Sequence, residues 1–148
     1  MSTERNKVLS QELYEAVFGR GDLGAADRVM AAGCVSHPPG LPPAVGTDAI
    51  KLQAQVLRAA FPDLVVTLLG QVGEGDRVAS HWKGEGTHTG PMSMPGGAAL
   101  PPTGRHVAFE EMRVDRFENG QIVESWFIPD RLGLMAALGL QGPAPRQG

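Results

Sequence analysis

The stretch from Arg105 to Asp130 reads RHVAFEEMRVDRFENGQIVESWFIPD, and its pattern is typical of a β-hairpin. Two runs rich in β-branched and aromatic residues, 105–117 and 121–128, are separated by the residues ENG at 118–120. Asparagine followed by glycine suits a turn between antiparallel strands, because both residues tolerate a positive φ. We therefore predict two long strands joined by a tight turn.

The register of this hairpin decides which side chains share a face of the sheet. We favour a three-residue loop with a glycine bulge, which places Trp126 opposite Met112. A plain two-residue turn would instead place Glu111 and Arg113 on the face of Trp126. In either register Trp126 and Asp130 point to the same side of the sheet, because their spacing is even.

The rest of the chain surrounds this hairpin with helices, further strands and proline-rich loops. Apolar residues of the first half recur at helical spacing and predict three helices before Pro62. Further strands are predicted over 64–72 and 77–88, and a last short helix over 132–138. Proline removes a backbone donor, so we predict loops over 33–46 and 89–104. This order predicts an α+β fold with helices packed on one face of an antiparallel sheet.

Composition limits the classes of protein to consider. The chain has 148 residues, of which 42% are hydrophobic and 20% charged, which is typical of one globular domain. We expect a domain over 1–140 and a flexible tail over 141–148. A net charge of -3 lacks the basic footprint of nucleic-acid binders. We expect neither a membrane span nor a signal peptide. The single cysteine, Cys34, provides no disulfide framework, so we expect a reducing cytoplasm.

Several segments together resemble the SnoaL-like polyketide cyclase and ester cyclase group of the nuclear transport factor 2-like superfamily. The resemblance extends over roughly residues 8–140. The segments that carry it are CVSHPPG (34–40), GTDAIK (46–51), FPD (61–63), GEGDRVASHWKGEGTH (73–88), GTHTGPM (86–92), PTGRHVAF (102–109) and FENGQIVESWFIPD (117–130).

This resemblance implies a fold and a chemistry. The implied fold is a cone: a curved, mixed sheet wrapped around three N-terminal helices, as in cystatin-like α+β barrels, with an apolar pocket at one end. In the characterised cyclases the aspartate four residues after the strand tryptophan acts as general acid/base, and the matching position here is Asp130. No metal, flavin or nucleotide takes part in that chemistry. Relatives pair through the outside of the sheet.

The residues around Asp130 leave its role open. An apolar strand end precedes it, so we expect a partly desolvated carboxylate with a raised pKa, as a proton shuttle requires. The alternative is a helix cap, because Asp130 directly precedes the last predicted helix and could accept backbone N–H bonds.

Other polar and aromatic residues are candidates for substrate binding. Each has a plainer alternative: an exposed loop histidine, a satisfied core residue or a surface salt bridge. Glu110 and Arg116 enter only through the favoured register. His81 and His106 are expected to be exposed, and the scattered histidines lack metal-ligand spacing. The substrate-binding candidates are Tyr14, His37, Gln53, His88, Glu110, Met112, Arg116 and Trp126.

The function that we predict is a cofactor-independent cyclase acting on a polyketide-like small molecule by aldol-type ring closure. An epoxide hydrolase or isomerase in the same cone is one alternative, with Asp115, Asp130 and an arginine, Arg113 or Arg116, as the residue types. Asp115 and Arg116 cannot both face inward, because adjacent strand residues alternate. A non-catalytic binding or assembly module is the other alternative, since one fold hosts many functions.

The outer face of the sheet predicts an oligomer. In the favoured register this face carries Phe109, Val123 and Phe127 with no helix to cover them. Exposed apolar patches often mark partner surfaces, and symmetric dimers are the commonest result. We expect a homodimer, or a homotetramer, built on the two hairpin strands.

Overall fold

The computed structural model describes residues 2–94 and 97–140. The predicted tail, 141–148, lies outside the described residues. Within the described ranges the chain forms α1 (Thr3–Tyr14), a π-helical turn (Glu15–Gly19), α2 (Gly24–Val29), β1 (Met30–His37), β2 (Ala44–Val45), α3 (Asp48–Ala60), β3 (Val65–Glu74), β4 (Arg77–Thr87), β5 (Met92–Ser93), β6 (Ala99–Leu100), β7 (His106–Glu118), β8 (Gln121–Pro129) and α4 (Arg131–Ala137).

The larger sheet is mixed and packs against the first three helices. Its strand order is β2-β1-β8-β7-β4-β3. Neighbours are antiparallel except β1, which runs parallel to β8. The main apolar cluster joins α1, α2 and α3 to the inner faces of β4, β7 and β8. This confirms the predicted α+β class, with helices inside a curved mixed sheet.

The prediction that 33–46 is a loop is wrong at both ends, because β1 covers its beginning and β2 (Ala44–Val45) lies near its end. β1 continues to His37 and lies between β2 and β8, inside the sheet. Strand pairing is possible there because the prolines, which lack a backbone donor, begin only at Pro38. The strand therefore ends where the prolines start.

The predicted register of the β7–β8 hairpin is also wrong. The turn is the two-residue Asn119-Gly120, with φ of 50° and 79°. Two positive φ values match the right-handed twist of the paired strands. A bulge at the start of β8 then adds one residue to that strand, so Trp126 pairs with Val114 instead of Met112.

The two faces of β7 are the reverse of the prediction. Its odd-numbered residues are buried against the helices, whereas most of its even-numbered ones are exposed. Phe109 and Phe127, expected on the outer face, are 9% and 7% exposed and lie inside. Met112, expected inside, is 48% exposed. Three charged side chains of β7 consequently lie in the interior, whereas the apolar Met112 lies on the outer surface.

A second apolar cluster closes the end of the sheet where β7 begins. Gly90 anchors the 89–104 segment there, since its N–H donates to the Ala60 carbonyl over 3.2 Å. A Cβ at this position would overlap the Ala59 carbonyl oxygen, so the close approach requires glycine. The cluster consists of Ala60, Phe61, Leu64, Met92, Val107, Phe109, Leu134 and Leu138. Within the described parts of the chain, every helix is too short or too polar to cross a membrane.

Candidate active site

Three charged residues of β7 point into the interior of the protein. Glu111, Arg113 and Asp115 are only 3%, 3% and 2% exposed. Alternate residues of a strand face the same side, so their spacing brings all three to the inner face. Ionised side chains are almost never buried unless they are paired, so this row is a candidate functional cluster.

Glu111 is surrounded by three donors from three elements. Tyr14, on α1, donates from its hydroxyl to Glu111 Oε2 over 3.3 Å. Gln53, on α3, donates from Nε2 to the same oxygen over 3.2 Å. The guanidinium of Arg113 donates to Glu111 Oε1 over 3.3 Å. Both carboxylate oxygens are therefore paired.

Asp115 is held on the other side of Arg113. Ser125 accepts from the Arg113 guanidinium over 2.9 Å and donates to Asp115 Oδ1 over 2.7 Å. Ser10, on α1, donates to Asp115 Oδ2 over 3.0 Å. The guanidinium itself lies 3.8 Å from Asp115 Oδ1. One cation thus lies between two buried carboxylates.

Aromatic rings cover this guanidinium. The Arg113 Cζ atom lies 5.9 Å from the centroid of the Tyr14 ring and 5.5 Å from that of Phe127. Tyr14 also stacks on Trp82, with centroids 4.1 Å apart. Cation–π contacts of this kind gain strength when water is excluded.

The burial of the cluster changes how its groups titrate. Burial raises the pKa of Glu111, although Arg113 opposes the shift. Burial also raises the pKa of Tyr14 well above its ordinary value, and the charge of Glu111 adds to this. Burial alone would lower the pKa of Arg113, but Asp115 and Glu111 outweigh it, and that pKa is raised. A carboxylate with a raised pKa beside a protonated phenol and a fixed cation suits proton transfer at neutral pH.

Asp130 lies outside this cluster. Its side chain is exposed, and it caps α4 by accepting the Gly133 N–H over 2.8 Å. The expected desolvation of Asp130 is therefore wrong. The carboxylate shares the outward parity of Trp126, because Pro129 occupies the inward position opposite Glu111.

The predicted binding residues divide between the two faces. Tyr14 and Gln53 reach Glu111, as described above. The other predicted binding residues that belong to the sheet lie on its outer face, because the inner and outer faces are the reverse of the prediction. These are His37, Glu110, Met112, Arg116 and Trp126.

The outer residues form contacts of their own. His37 stacks on Trp126 with centroids 5.1 Å apart, and its Nε2 lies 2.7 Å from Glu124 Oε2. The Arg77 guanidinium lies over the same tryptophan at 5.2 Å. Glu124 also accepts from Arg116 over 3.1 Å. The hydrogen bond with His37 contributes most to lowering the pKa of Glu124.

His88, a predicted substrate-binding residue, is fully buried beside the 89–104 segment. It is 0% exposed, and its Nδ1 accepts the Thr103 N–H over 3.2 Å. This bond holds the two ends of the 89–104 segment together. By contrast His106 is exposed, as predicted, whereas His81, also expected to be exposed, is half-buried.

The inner row is missed from the sequence because charged strand residues are expected on the outer face. The available signal is their even spacing, 111, 113 and 115, on a predicted strand. Gln53 is found because it is a polar group on the apolar face of a predicted helix. Tyr14 is found through the family resemblance, which implies that its position on the first helix lines the pocket. Among residues 2–94 and 97–140, no group of three or more His, Cys, Asp or Glu side chains is placed to hold a metal ion.

A helix-filled mixed sheet with buried acid and base groups on its inner face defines a class of α+β cones. Within that class, the model of the SnoaL-like polyketide cyclase family matches residues 8–138. The chain belongs to this family, which lies in the nuclear transport factor 2-like superfamily. A search of curated proteins finds no match.

Solved structures agree with this assignment. IdmH, a candidate polyketide cyclase from Streptomyces antibioticus, is 33% identical, with a TM-score of 0.73 over 88% of this chain and 96% of that one. AclR, a candidate hydroxylase from Streptomyces galilaeus, is 28% identical, with a TM-score of 0.80 over 98% and 91%. A candidate polyketide cyclase from Acidithiobacillus ferrooxidans is 28% identical, with a TM-score of 0.74 over 96% and 100%.

Proposed function

We propose that this protein is a cofactor-independent enzyme that closes a ring in a polyketide-like small molecule, with Glu111 as the group that moves the proton. The observation that carries the proposal is a carboxylate buried with three donors on the inner face of the sheet. Family membership supports the substrate class. A reducing cytoplasm suits such an enzyme and its single cysteine, Cys34.

The proposed reaction is an intramolecular aldol addition in which no atoms are gained or lost. The Glu111 carboxylate takes a proton from a carbon between two carbonyl groups, which gives an enolate. The enolate carbon forms a bond to a second carbonyl carbon, whose oxygen becomes an alkoxide. That alkoxide takes the proton back from Glu111, and the carboxylate is restored.

The surrounding residues favour this sequence electrostatically. Tyr14 and Arg113 are fixed donors whose positions do not change when charge develops nearby, so they can stabilise negative charge at little reorganisation cost. Exclusion of water strengthens these interactions. Holding a flexible chain in one folded conformation also removes much of the entropic barrier to closure.

Asp130 keeps the role that the family resemblance implies, as an alternative proton-transfer group. Its exposure and its capping bond to Gly133 argue for Glu111 as the first choice. We therefore propose Glu111 first and Asp130 second.

A hydrolase or isomerase of epoxides is the second candidate function. The observation that favours it is the position of Arg113 between two carboxylates, 3.3 Å from Glu111 and 3.8 Å from Asp115. A carboxylate held by an arginine can orient and deprotonate a water molecule. Such a reaction adds a solvent oxygen to the product, which ring closure does not.

Isotopic labelling separates these functions in one experiment. Purified protein is incubated in water labelled in its oxygen, in one sample with a linear poly-β-ketone thioester and in another with an epoxide. Heat-denatured protein is the control. Ring closure is expected to yield a product of unchanged mass, or one lighter by a single water, formed faster than in the control. Labelled solvent oxygen incorporated in the presence of an epoxide would favour the hydrolase. No product above the control, together with saturable binding, would favour a binding module.

We further propose that the protein forms a homodimer, or a homotetramer, through the outer face of the sheet. Large apolar side chains are exposed there, among them Val72 at 70%, Ile128 at 67% and Met112 at 48%. Apolar patches of this kind are uncommon on monomers and typical of partner surfaces. The face differs from the predicted one in its residues, because Phe109 and Phe127 lie inside.

Ile128→Glu tests the dimer. Light scattering of the wild type is expected to give at least twice the 15.6 kDa mass of one chain. Ile128→Glu is expected to shift the protein to the monomer mass, because it buries a charge at the interface. Leu132→Glu is the matched control, since Leu132 is 87% exposed but lies on α4. A monomeric wild type would contradict the proposal.

A further inference from the structure

The amide of Gln53 has one partner where it needs two. Its Nε2 donates to Glu111 Oε2 over 3.2 Å, but its Oε1 is buried and has no hydrogen-bond partner among the residues that the structure describes. A buried acceptor without a partner costs about 1–3 kcal/mol. Gln53 as a whole is half-buried, although this oxygen itself is buried.

The two ends of this amide respond oppositely to a proton on Glu111. An ionised carboxylate has only acceptors, so it pairs with the Nε2 end. A protonated carboxyl has an O–H to donate, which the Oε1 end can accept. Rotation of the amide by half a turn exchanges the two ends and leaves the rest of the side chain in place.

We propose that Gln53 is a positioning residue whose amide rotates when Glu111 gains a proton, so that it offers an acceptor to the bound molecule before proton transfer and an N–H donor afterwards. This inference rests on the proposed function of Glu111. The ligand that it implies is an enolisable carbonyl compound, because the oxygen of such a compound becomes anionic at the moment that Glu111 becomes protonated. The N–H then stabilises the enolate and not the starting ketone, as transition-state complementarity requires.

Few groups around Glu111 could compete with Gln53 as the acceptor of a hydrogen bond from its protonated carboxyl. The titratable and charged ones are Tyr14 from α1 and Arg113 and Asp115 from β7. Its neighbours in the sheet, Trp82 on β4 and Pro129 on β8, carry no acceptor that titrates. Among the residues that the structure describes, the Tyr14 hydroxyl is the one competing acceptor, since it too bonds Glu111 Oε2.

The test uses pH alone as the probe and needs no substrate. The side-chain amide signals of Gln53 are assigned in the nuclear magnetic resonance spectrum by their loss in Gln53→Met. At alkaline pH the Gln53 NH2 hydrogens are expected to show nuclear Overhauser contacts to the Tyr14 ring. As the pH is lowered, these contacts should disappear and exchange of the NH2 hydrogens with solvent should accelerate. Both changes should have the same pH midpoint as the titration of the Glu111 carboxyl carbon signal.

Two controls keep the result specific. Gln71 donates from Nε2 to the Lys7 carbonyl over 2.9 Å, and its signals should not follow that midpoint. In Glu111→Gln the Gln53 contacts should no longer change with pH. Contacts that persist at acid pH while the Glu111 carbon titrates would overturn the inference and assign the proton to the Tyr14 hydroxyl. Failure of the proposed function would appear separately, as turnover that survives Glu111→Gln.

Discussion

Glu111→Gln is expected to lower kcat for ring closure by about 10²–10⁴-fold, the usual contribution of a general acid–base group. Glutamine has nearly the same shape and can still bond Tyr14 and Arg113, but it cannot accept and return a proton. Initial rates on the linear poly-β-ketone substrate, measured across pH by chromatography and mass spectrometry, give the comparison. Binding of the substrate should change much less than kcat.

Asp130→Asn is the matched control for this substitution. It makes the same carboxylate-to-amide change at the exposed cap of α4, and asparagine also caps helices well. We expect the rate to stay within a few-fold of the wild type. The reverse result, a large loss with Asp130→Asn and none with Glu111→Gln, would transfer the catalytic role to Asp130.

Glu111→Gln also has a readout that requires no substrate. The folded-state pKa of Glu111 is raised above its ordinary value of 4.5. Its contribution to the free energy of unfolding is therefore full below pH 4.5 and is lost as the pH rises through the folded pKa. Glu111→Gln should gain stability relative to the wild type over that window, by about 1.4 kcal/mol for each tenfold difference between the acid dissociation constants of the folded and unfolded states.

Most of the fold could be predicted because glycine and proline mark its boundaries. The strand that begins at Arg77 is predicted to the residue, since the turn before it contains Gly75, whose φ is 59°. The strand ending at His37 is missed because a cluster of prolines follows it and favours a loop over the whole segment. Local rules thus locate the breaks in the chain, but they do not show which segment pairs with which.

The candidate site could be predicted only in part, because charge is a misleading guide to the faces of this sheet. Strand β7 carries apolar residues on both parities, including Phe109 on one and Met112 on the other, so alternation alone does not identify the buried side. Charged residues normally face water, which favours the wrong assignment. An extra residue near the start of β8 also shifts the register, and bulges leave little trace in a sequence. Functional sites are where such local rules are expected to fail.

Arg113→Met is expected to lower the free energy of unfolding by about 3–5 kcal/mol, as is usual when one member of a buried ionic cluster is removed. Glu111 and Asp115 would then face each other's charge inside the protein with no cation between them. Equilibrium unfolding in urea, at neutral pH, measures the loss. Arg116→Met is the matched control, because Arg116 pairs with Glu118 and Glu124 on the outer face, and it should cost about 1 kcal/mol or less.

A compensated variant keeps this prediction testable even if Arg113→Met does not fold. Combining Arg113→Met with Glu111→Gln and Asp115→Asn removes all three charges and keeps similar volumes. Uncharged groups carry a far smaller burial penalty, so the triple variant should recover much of the lost stability. If the triple variant were no more stable than Arg113→Met alone, the loss would come from the packing of the Arg113 side chain between Tyr14 and Phe127, and not from charge. Recovery of the fold without recovery of turnover would show that the buried charges are kept for the chemistry and at the expense of stability.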